Sequence, residues 1–339
     1  MTTVVGRLAP SPTGLLHVGN ARSLLLAWLA VRHAGGRIHL RVEDLLPDGD
    51  VHLPALLADL AWLGLPCDPW QGQAFIRQSE RAALYDALLA GLLTRGEVYP
   101  CVCTRKDIDL AARAPHAEDK ATAYPGTCRG RFGSEAEALA FERQRAAEEG
   151  RPALGVALRL VVPDAPVTFT DLLHGPQTVR LPDDSGDIVV RRKDGGVAYM
   201  FAVVVDDWAM GVNQVVRGDD LLEVTGQQLA VYAALQRLSA SELPAFQGLP
   251  SYVHVPLVLG DDGRRLAKRN ASLHLGALRE TGVPAQRLRA WLVTSLGMSP
   301  SEDFASLIDD FAWSRLPRTP VHFGVEQLRQ ISRTTGGRP

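Results

Sequence analysis

The chain has 339 residues, 46% hydrophobic and 22% charged, and this globular composition excludes a fibrous or low-complexity protein. Its length exceeds that of most single domains, so we expect one large domain with an insertion, or two to three smaller domains. The formal net charge of -2 provides no overall attraction to nucleic acid, so any RNA binding must depend on a local patch or on shape.

The N-terminal segment MTTVVGRLAP has neither the basic region nor the apolar region of a signal peptide. The longest apolar run, residues 24–31, is too short to cross a bilayer. We therefore expect a cytoplasmic protein that makes no membrane contact, and we expect it to be a monomer.

Strand and helix patterns alternate over the first 95 residues. TTVVGRLA at 2–9 predicts a strand, 21–36 a helix that ends at two glycines, and 37–44 a second strand. Helical patterns follow at 51–64 and 78–95. Two strands joined by a connection too long for a hairpin predict a right-handed βαβ unit and a parallel sheet.

The character of the sequence changes between about residue 96 and residue 185. This segment holds three of the four cysteines, a charged helical pattern at 134–150 opened by a capping box of Ser134 and Glu137, and a β-like tract rich in proline and aspartate. We expect it to be a module inserted into the parallel-sheet domain.

Strand-like runs return in the second half of the chain. Continuous valine-rich runs at 198–208, 212–220 and 252–260 predict parallel strands buried on both faces, with a helix at 222–238. After residue 272 the pattern is helical at 285–297 and 304–316, and a polar tail follows.

These patterns predict an α/β fold, a Rossmann-like doubly wound parallel sheet with an inserted α+β module and a small C-terminal helical region. The expected units are the first half of the sheet domain at 1–95, the insert at 96–185, the second half of the sheet domain at 186–272 and the helical region at 273–339.

The first strand-to-helix turn, residues 10–20, combines prolines, glycines and a lone histidine. Ligands of parallel sheets bind at such turns, where the free N–H groups of a helix N-terminus favour a phosphate. Gly14 and Gly19 permit close backbone approach, and His17 and Asn20 share a helix face if the helix has begun by then. The plainer interpretation is a turn shaped by proline and glycine, with His17 on the surface.

A second candidate is the basic segment GDDGRRLAKRNAS at 260–272. A mobile cationic loop after a strand can clamp a polyphosphate, with Lys268 as a point charge beside Arg264, Arg265 and Arg269. An ordinary solvated basic loop is the alternative.

Together, these two segments resemble the signature motifs of class I aminoacyl-tRNA synthetases. PSPTGLLHVGN resembles the HIGH-type signature and RRLAKR the KMSKS-type signature, and the detail is similar to the glutamyl branch. Longer motifs, as far as about residue 275, resemble the glutamyl-queuosine tRNA(Asp) synthetase family, truncated paralogues of glutamyl-tRNA synthetases. These motifs are GRLAPSPTG, LRVEDLLP, YPCVCTRKDI, YPGTCRG, GDIVVRRKDGGVAYMFAVVVDDWAMGVNQVVRGDDLL and YVHVPLVLGDDGRRLAKR.

The resemblance implies a ligase that activates L-glutamate with ATP to glutamyl-adenylate. The implied acceptor of the glutamate is the queuosine base at the wobble position of tRNA(Asp). Arg7 and Arg217 are implied to bind carboxylates of glutamate, where the guanidinium fork suits a carboxylate, and Glu43 its ammonium group. The other implied glutamate contacts are Leu8, Ala9, Pro10, Ser11 and Tyr199.

Purely structural interpretations of these residues stay open. Arg7 and Glu43 could form a surface pair, Arg217 could pair with Asp219 or Asp220 in the interior, and Tyr199 could be a core ring.

For the nucleotide, the resemblance implies ATP contacts at His17, Gly19, Asn20 and Lys268, with Mg²⁺ on the bridging oxygens. His17 and Lys268 are the implied catalytic residues. No covalent nucleophile is needed, because the substrate carboxylate attacks the α-phosphorus directly. Two positions depart from the common signatures. Ala267 stands where serine is frequent, and Asn20 where histidine is frequent, so we expect altered rates before loss of activity.

Cys101, Cys103 and Cys128 fall within 28 residues, which in a reducing compartment favours metal binding over disulfides. Three thiolates leave a tetrahedral Zn²⁺ one ligand short. The resemblance implies Tyr124 as the fourth ligand of one structural zinc, whereas chemistry alone leaves His116 as a rival and three free cysteines as the alternative. Cys67 lies outside the cluster and is expected to be an ordinary thiol.

Only 67 residues follow residue 272, which is too short for the anticodon-binding extension of glutamyl-tRNA synthetases and favours the queuosine-modifying branch. Two other functions stay open. One is a minimal glutamyl-tRNA synthetase that charges a tRNA 3′ end, and the other is a catalytically idle binding module, which Ala267 makes conceivable.

Overall fold

The elements of the chain are given by a computed structural model that describes residues 3–46, 51–111, 123–238, 243–266 and 273–332. Up to residue 160 they are β1 (Val5–Leu8), α1 (Val18–His33), β2 (Arg37–Val42), α2 (Leu53–Leu63), β3 (Ile76–Arg77), a 3₁₀ turn (Gln78–Arg81), α3 (Ala82–Thr94), β4 (Val98–Cys101), α4 (Arg105–Ala111), α5 (Glu135–Glu148) and β5 (Ala157–Leu160). From there they are β6 (Val167–Asp171), β7 (Gly175–Val179), α6 (Leu181–Asp184), β8 (Ile188–Arg191), α7 (Tyr199–Ala209), β9 (Gln214–Gly218), a 3₁₀ turn (Asp219–Leu221), α8 (Thr225–Gln236), β10 (Ser251–Val255), β11 (Val258–Leu259), α9 (Leu275–Glu280), α10 (Ala285–Ser295), α11 (Phe304–Asp310), a 3₁₀ turn (Trp313–Arg315), β12 (Val321–His322) and α12 (Val325–Ser332).

The predicted parallel sheet is confirmed. β1 pairs in parallel with β2, and β2 with β3. On its other side β1 meets β9, where Asn213 N donates to Val5 O over 2.9 Å. β9 pairs in parallel with β10, and β10 in parallel with β6. The carboxyl ends of β1, β2, β9 and β10 therefore meet at one edge, which is where parallel sheets bind ligands.

Helix α1 packs closely on this sheet because Gly6 has no side chain. A Cβ atom at Gly6 would lie 2.4 Å from Cγ2 of Val31, so any larger residue would push α1 away from β1. The side chains in the middle of α1, which include Leu25, Leu26 and Leu29, are almost completely buried. α1 thus directs its N-terminus at the ligand-binding edge.

The prediction of a strand over 198–208 is wrong. Tyr199–Ala209 form helix α7, and the residues from Phe201 to Asp207 are buried without interruption. An apolar run that is buried on all sides has neither helical nor alternating periodicity, so its pattern cannot distinguish a buried strand from a buried helix. The correction matters for the site, because α7 brings Tyr199 and Asp207 to the sheet edge.

A second, antiparallel sheet contains β4, β5 and β8, and α5 packs on β4. Ser134 caps α5, accepting from Glu137 N over 3.2 Å, but the predicted capping box is only half formed, because the Glu137 carboxylate accepts from Gly133 N and not from Ser134 N. β8 lies beyond the expected boundary at 185, while β6, before that boundary, pairs with the parallel sheet. The domain boundaries stay predictions.

Helices α9, α10 and α11 follow the sheet and pack on α1 or α2, and α12 packs on α10. The helix expected at 304–316 ends at Asp310, and a 3₁₀ turn follows after a short break. None of the helices in the described ranges combines the length and apolarity that a bilayer crossing requires.

The buried carboxylate of Asp59 on α2 provides a test of this packing. Neither of its oxygens has a hydrogen-bond partner in the described part of the chain, and Arg279 Nη1 lies 3.6 Å from Oδ1. Burial raises the pKa of Asp59 to about 6, against the attraction of Arg279. The ionised form is therefore disfavoured in the folded state, so Asp59 lowers stability above pH 6 and this cost disappears as the pH falls towards 4.

We expect Asp59→Asn to raise the Tm at pH 7.5 by a few degrees, and we expect this gain to shrink steadily between pH 6 and pH 4. Thermal unfolding of both proteins across this pH range measures the difference. A lower Tm for the variant at pH 7.5 would mean that the attraction of Arg279 outweighs the cost of burial.

Candidate active site

A cavity of about 620 Å³ opens at the carboxyl edge of the parallel sheet, between the N-termini of α1 and α7. The residues that the sequence analysis expected in the site and that line this cavity are Arg7, Ala9, Pro10, Ser11, His17, Gly19, Asn20, Glu43, Tyr199 and Arg217. Leu8 does not line it, because its side chain is completely buried in the core below. The fold thus brings together residues from four separate stretches of the chain.

His17 and Asn20 close the N-terminus of α1 with a reciprocal capping box. Asn20 N donates to Nδ1 of His17 over 3.3 Å, and His17 N donates to Oδ1 of Asn20 over 3.0 Å. Since Nδ1 accepts, the proton of a neutral His17 imidazole sits on Nε2. The two side chains therefore have a structural role in addition to any role towards a ligand.

The electrostatic surroundings keep His17 uncharged. Burial, helped by Arg265 and His274, lowers the pKa of His17 to about 4. At neutral pH the imidazole is therefore a neutral hydrogen-bond donor at a helix N-terminus, and the positive end of the helix dipole adds to its effect on an anion.

The floor of the cavity is a buried ion network. Arg7 Nε lies 3.3 Å from Asp207 Oδ1, and Arg41 lies 2.5 Å from the same oxygen and 3.2 Å from Glu43 Oε1. Ser11 Oγ donates to Glu43 Oε2 over 3.2 Å. The surface pair of Arg7 and Glu43 is therefore absent, since Arg7 is buried and pairs with Asp207 on α7.

Burial also shifts the acidic groups of this network. It raises the pKa of Glu43, although Arg41 and Arg7 act in the opposite direction. It raises the pKa of Tyr199 to about 12, and the nearby Glu43 adds to this, so the tyrosine keeps its proton and can donate a hydrogen bond. The cavity thus offers the acidic group of Glu43 and the phenol of Tyr199 together with Arg7 and Arg217.

Arg217 differs from Arg7 in having no acidic partner among the residues that the structure describes. Its Nε donates to His254 Nε2 over 2.9 Å and its Nη2 to Thr225 Oγ1 over 2.9 Å. It makes no ion pair with Asp219 or Asp220, the pairing that the sequence left open. Its Nη1 is buried without a hydrogen-bond partner among the described residues. A buried cation of this kind leaves a place for an anion in the cavity.

Within the basic segment at 260–272, Arg265 lines the cavity. Its Nη1 lies 2.6 Å from Asp220 Oδ2. The remaining positions that the sequence analysis named here, Ala267, Lys268 and Arg269, lie outside the described residues, as does His116.

The sequence analysis missed four residues of the site: Asp207, Arg41, His254 and Asp171. Asp207 lies in the run that was taken for a strand, so nothing indicated that it pairs with Arg7 below the cavity. His254 stands in the valine-rich strand β10, where a lone histidine among apolar residues is a weak signal for a polar network.

The three sulfur atoms of Cys101, Cys103 and Cys128 form a compact cluster within 4.8 Å of one another. Cys103 Sγ is 3.5 Å from Cys128 Sγ, and Tyr124 Oη lies 3.4 Å from Cys101 Sγ and 3.8 Å from Cys103 Sγ. The structure thus brings together all four ligand candidates that the resemblance implies.

A buried cation accompanies this cluster. Arg159 Nε donates to Cys101 Sγ over 3.3 Å, and its guanidinium lies 3.7 Å from the centre of the Tyr124 ring. Hydrogen bonds from Cys103 and Cys128 lower the pKa of Cys101. The cluster therefore has surroundings that favour a thiolate.

Comparison with known proteins decides the family. The model of the family tRNA synthetases class I (E and Q), catalytic domain, matches residues 3–315. The chain belongs to this family. The α/β fold with a parallel sheet is the fold of its catalytic domain, and the resemblance found in the sequence motifs is confirmed.

Among relatives of this class I synthetase chain is the Glutamyl-Q tRNA(Asp) synthetase of Nitratidesulfovibrio vulgaris, 45% identical over 97% of this chain and 98% of the relative. That of Symbiobacterium thermophilum is 41% identical over 96% and 98%. Glutamate--tRNA ligase 2 of Alkalilimnicola ehrlichii is 39% identical over 96% of this chain and 67% of its own length. The crystal structure of glutamate-tRNA synthetase from Elizabethkingia anophelis shares the fold, with a TM-score of 0.73 and 24% identity over 97% of this chain and 70% of that one.

The protonation state of His17 in this synthetase can be measured directly. Because its pKa is lowered to about 4, we expect an imidazole that stays neutral, with the proton on Nε2, from pH 8 down to pH 5. Nitrogen NMR of histidine-labelled protein reports the charge of the imidazole and the ring nitrogen that carries the proton. The signal that disappears in His17→Asn is that of His17. The unfolded chain takes up this proton near pH 6.5 and the folded chain only near pH 4, so His17 makes the fold progressively less stable as the pH falls from 6.5 towards 4. A titration midpoint near 6.5 in the folded protein would contradict the expectation.

Proposed function

We propose that this chain is an ATP-dependent ligase that activates L-glutamate and transfers it to the queuosine base at the wobble position of tRNA(Asp). The observation that carries the glutamate part is the charge pattern of the cavity, in which the buried Arg217 has no acidic partner and Glu43 faces the same space. The relatives named Glutamyl-Q tRNA(Asp) synthetase, matched over nearly their whole length, support the acceptor.

The residues of the cavity suit the three charged groups of glutamate. In this proposal Arg7 and Arg217 bind the carboxylates, and Glu43 binds the ammonium group with help from Ser11. Tyr199 is the hydroxyl wall, and the backbone of residues 7–11 supplies further polar contacts. Arg7, Arg217 and Glu43 supply two cations and one anion for a substrate with two carboxylates and one ammonium group, while Arg265 and Asp220, which also line the cavity, pair with each other.

The chemistry of the first step requires alignment and charge stabilisation. The α-carboxylate of glutamate attacks the α-phosphorus of ATP, the bond to the bridging oxygen breaks, and pyrophosphate leaves. Neutral His17 donates from Nε2 to a phosphate oxygen, while Gly19 and Asn20 let the nucleotide approach the N-terminus of α1. Lys268 is proposed to neutralise the β- and γ-phosphates, and Mg²⁺ bound with ATP supplies further positive charge.

The second step releases AMP when the queuosine base attacks the activated carboxyl group of glutamate. The alternative acceptor is the 3′ end of a tRNA, as in a minimal glutamyl-tRNA synthetase, and the similarity to glutamate–tRNA ligases is the observation that favours it. The chain covers 67% of that glutamate–tRNA ligase but 98% of the Glutamyl-Q tRNA(Asp) synthetase of Nitratidesulfovibrio vulgaris. The queuosine acceptor is therefore the better supported of the two.

We also propose that Cys101, Cys103, Tyr124 and Cys128 hold one structural Zn²⁺ in the insert at 96–185. Zinc–sulfur bonds of about 2.3 Å place the ligand atoms of a tetrahedral site roughly 3.5–3.8 Å apart, which matches the distances in the cluster. The cation of Arg159 offsets the excess negative charge of three thiolates. Bound zinc would stiffen a module whose own apolar cluster is small.

The activity is tested in two stages with the full chain. We expect glutamate-dependent exchange of pyrophosphate into ATP, reduced at least tenfold in Lys268→Ala because the phosphate charge is no longer neutralised. We then expect labelled glutamate to be transferred to tRNA(Asp) that contains queuosine and not to the same tRNA without it. Absent exchange would favour an idle binding module, and exchange that is present but equal in Lys268→Ala would contradict the proposed role of Lys268. Transfer independent of queuosine would favour the glutamyl-tRNA synthetase.

The metal site is tested by zinc analysis with a matched control. We expect about one zinc per chain, lost in Cys103→Ser and retained in Cys67→Ser, because Cys67 lies outside the cluster and burial raises its pKa to about 12. Equal zinc content in the two variants would contradict the proposed site.

A further inference from the structure

We propose that His254 and Asp171 are positioning residues that fix the guanidinium of Arg217 in the orientation that receives a carboxylate. The proposal rests on the function proposed above and adds to it two residues that do not line the cavity.

The three residues lie on three neighbouring strands. His254 on β10 stands directly opposite Arg217 on β9, and Asp171 ends β6, which pairs with β10 at Tyr252. His254 is completely buried, and Asp171 and Arg217 are 1% and 6% exposed. A line of hydrogen bonds therefore crosses the interior of the sheet and ends at the cavity.

The Asp171 carboxylate is held by four hydrogen bonds. Oδ1 accepts from the backbone N–H groups of Leu173 and His174, each over 2.9 Å. Oδ2 accepts from the backbone N–H of His254 over 3.0 Å and faces its Nδ1 at 2.8 Å. These bonds lower the pKa of Asp171 in spite of its burial, so the group is an ionised, immobile acceptor.

An acceptor at Nδ1 determines the tautomer of His254. The proton must sit on Nδ1, and Nε2 must then carry a lone pair. That lone pair faces Arg217 Nε at 2.9 Å, and Nε of an arginine can only donate. Burial and the charge of Arg217 lower the pKa of His254, so the imidazole remains in the neutral form that can accept.

Thr225 completes the restraint. Its Oγ1 accepts from Arg217 Nη2 over 2.9 Å and lies 3.1 Å from Leu221 O, to which it donates. With Nε and Nη2 both occupied by neutral acceptors, the guanidinium plane is fixed and its charge is not neutralised. Nη1 has no partner in the described ranges of the chain, so a substrate carboxylate finds a donor and an uncompensated charge already in place.

At the position of His254, a carboxylate would normally be the stronger partner for a buried arginine. An acidic residue in place of His254 would hold Arg217 equally well, but it would also neutralise it and compete with the substrate. The neutral imidazole orients without competing, while the negative charge of Asp171 lies one residue further away.

Two substitutions of His254 separate orientation from general damage to the fold. In His254→Gln the amide oxygen reaches the position of Nε2 and can accept from Arg217, whereas the shorter side chain in His254→Asn reaches only the position of Nδ1. In the pyrophosphate exchange assay we expect the KM for glutamate to rise at least tenfold in His254→Asn, with the KM for ATP changed less than twofold. His254→Gln should recover most of the loss, and His33→Asn, at the far end of α1, should behave as wild type.

A double-mutant cycle with Arg217→Lys tests whether His254 acts through Arg217. Lysine has no Nε–H for His254 to accept from, so His254→Asn should raise the KM for glutamate less than twofold in that background. An undiminished effect would overturn the proposal.

Nitrogen NMR of the wild-type protein gives a measurement that needs no stable variant. We expect His254 to be neutral with the proton on Nδ1, and a proton on Nε2 would overturn the proposal. If wild type shows no glutamate-dependent exchange, the proposed function fails. If wild type is active and His254→Asn leaves the KM for glutamate within twofold, the positioning role alone fails.

Discussion

The buried charge of Arg41 is the constraint on which the rest of the site depends. Its side chain is completely inaccessible and lies among three carboxylates, at 2.5 Å from Asp207, 3.2 Å from Glu43 and 4.0 Å from Asp206. Removing one member of such a buried network leaves charges unpaired and typically costs about 3–5 kcal/mol. These ion pairs therefore hold strand β2 and helix α7 together, and the cavity lies next to them.

The same network extends away from the cavity and connects it to the rest of the fold. Asp206 accepts hydrogen bonds from Gln78 over 2.7 Å, Arg81 over 2.6 Å and Tyr85 over 2.8 Å. Adjacent acidic residues on one helix thus have separate tasks. Asp206 holds the start of α3, and Asp207 holds Arg7 in the cavity, so a shift of α7 would disturb both.

Arg7 and Arg217 in the cavity are held by different kinds of partner. Asp207 pairs with Arg7, whereas Arg217 is held by a histidine and a threonine and keeps its full charge. A fully neutralised pocket would bind a dicarboxylate weakly, and an unrestrained pair of buried arginines would repel each other. The structure avoids both problems by pairing Arg7 with Asp207 and orienting Arg217 with neutral groups. In the proposed function, a carboxylate of the substrate is the anion that pairs with Arg217.

The sequence by itself determined the βαβ opening, the parallel sheet, the family and ten of the residues that line the cavity, because long motifs and strand-end positions are local properties of the chain. The tertiary structure decided what periodicity cannot express: that 199–209 is a helix, that Arg7 pairs with Asp207 and not with Glu43, and that Asp171 and His254 stand behind Arg217. Each of these depends on contacts between residues far apart in the chain. Burial on all sides removes the alternation that would have identified α7, and the partner of a buried charge is chosen by packing.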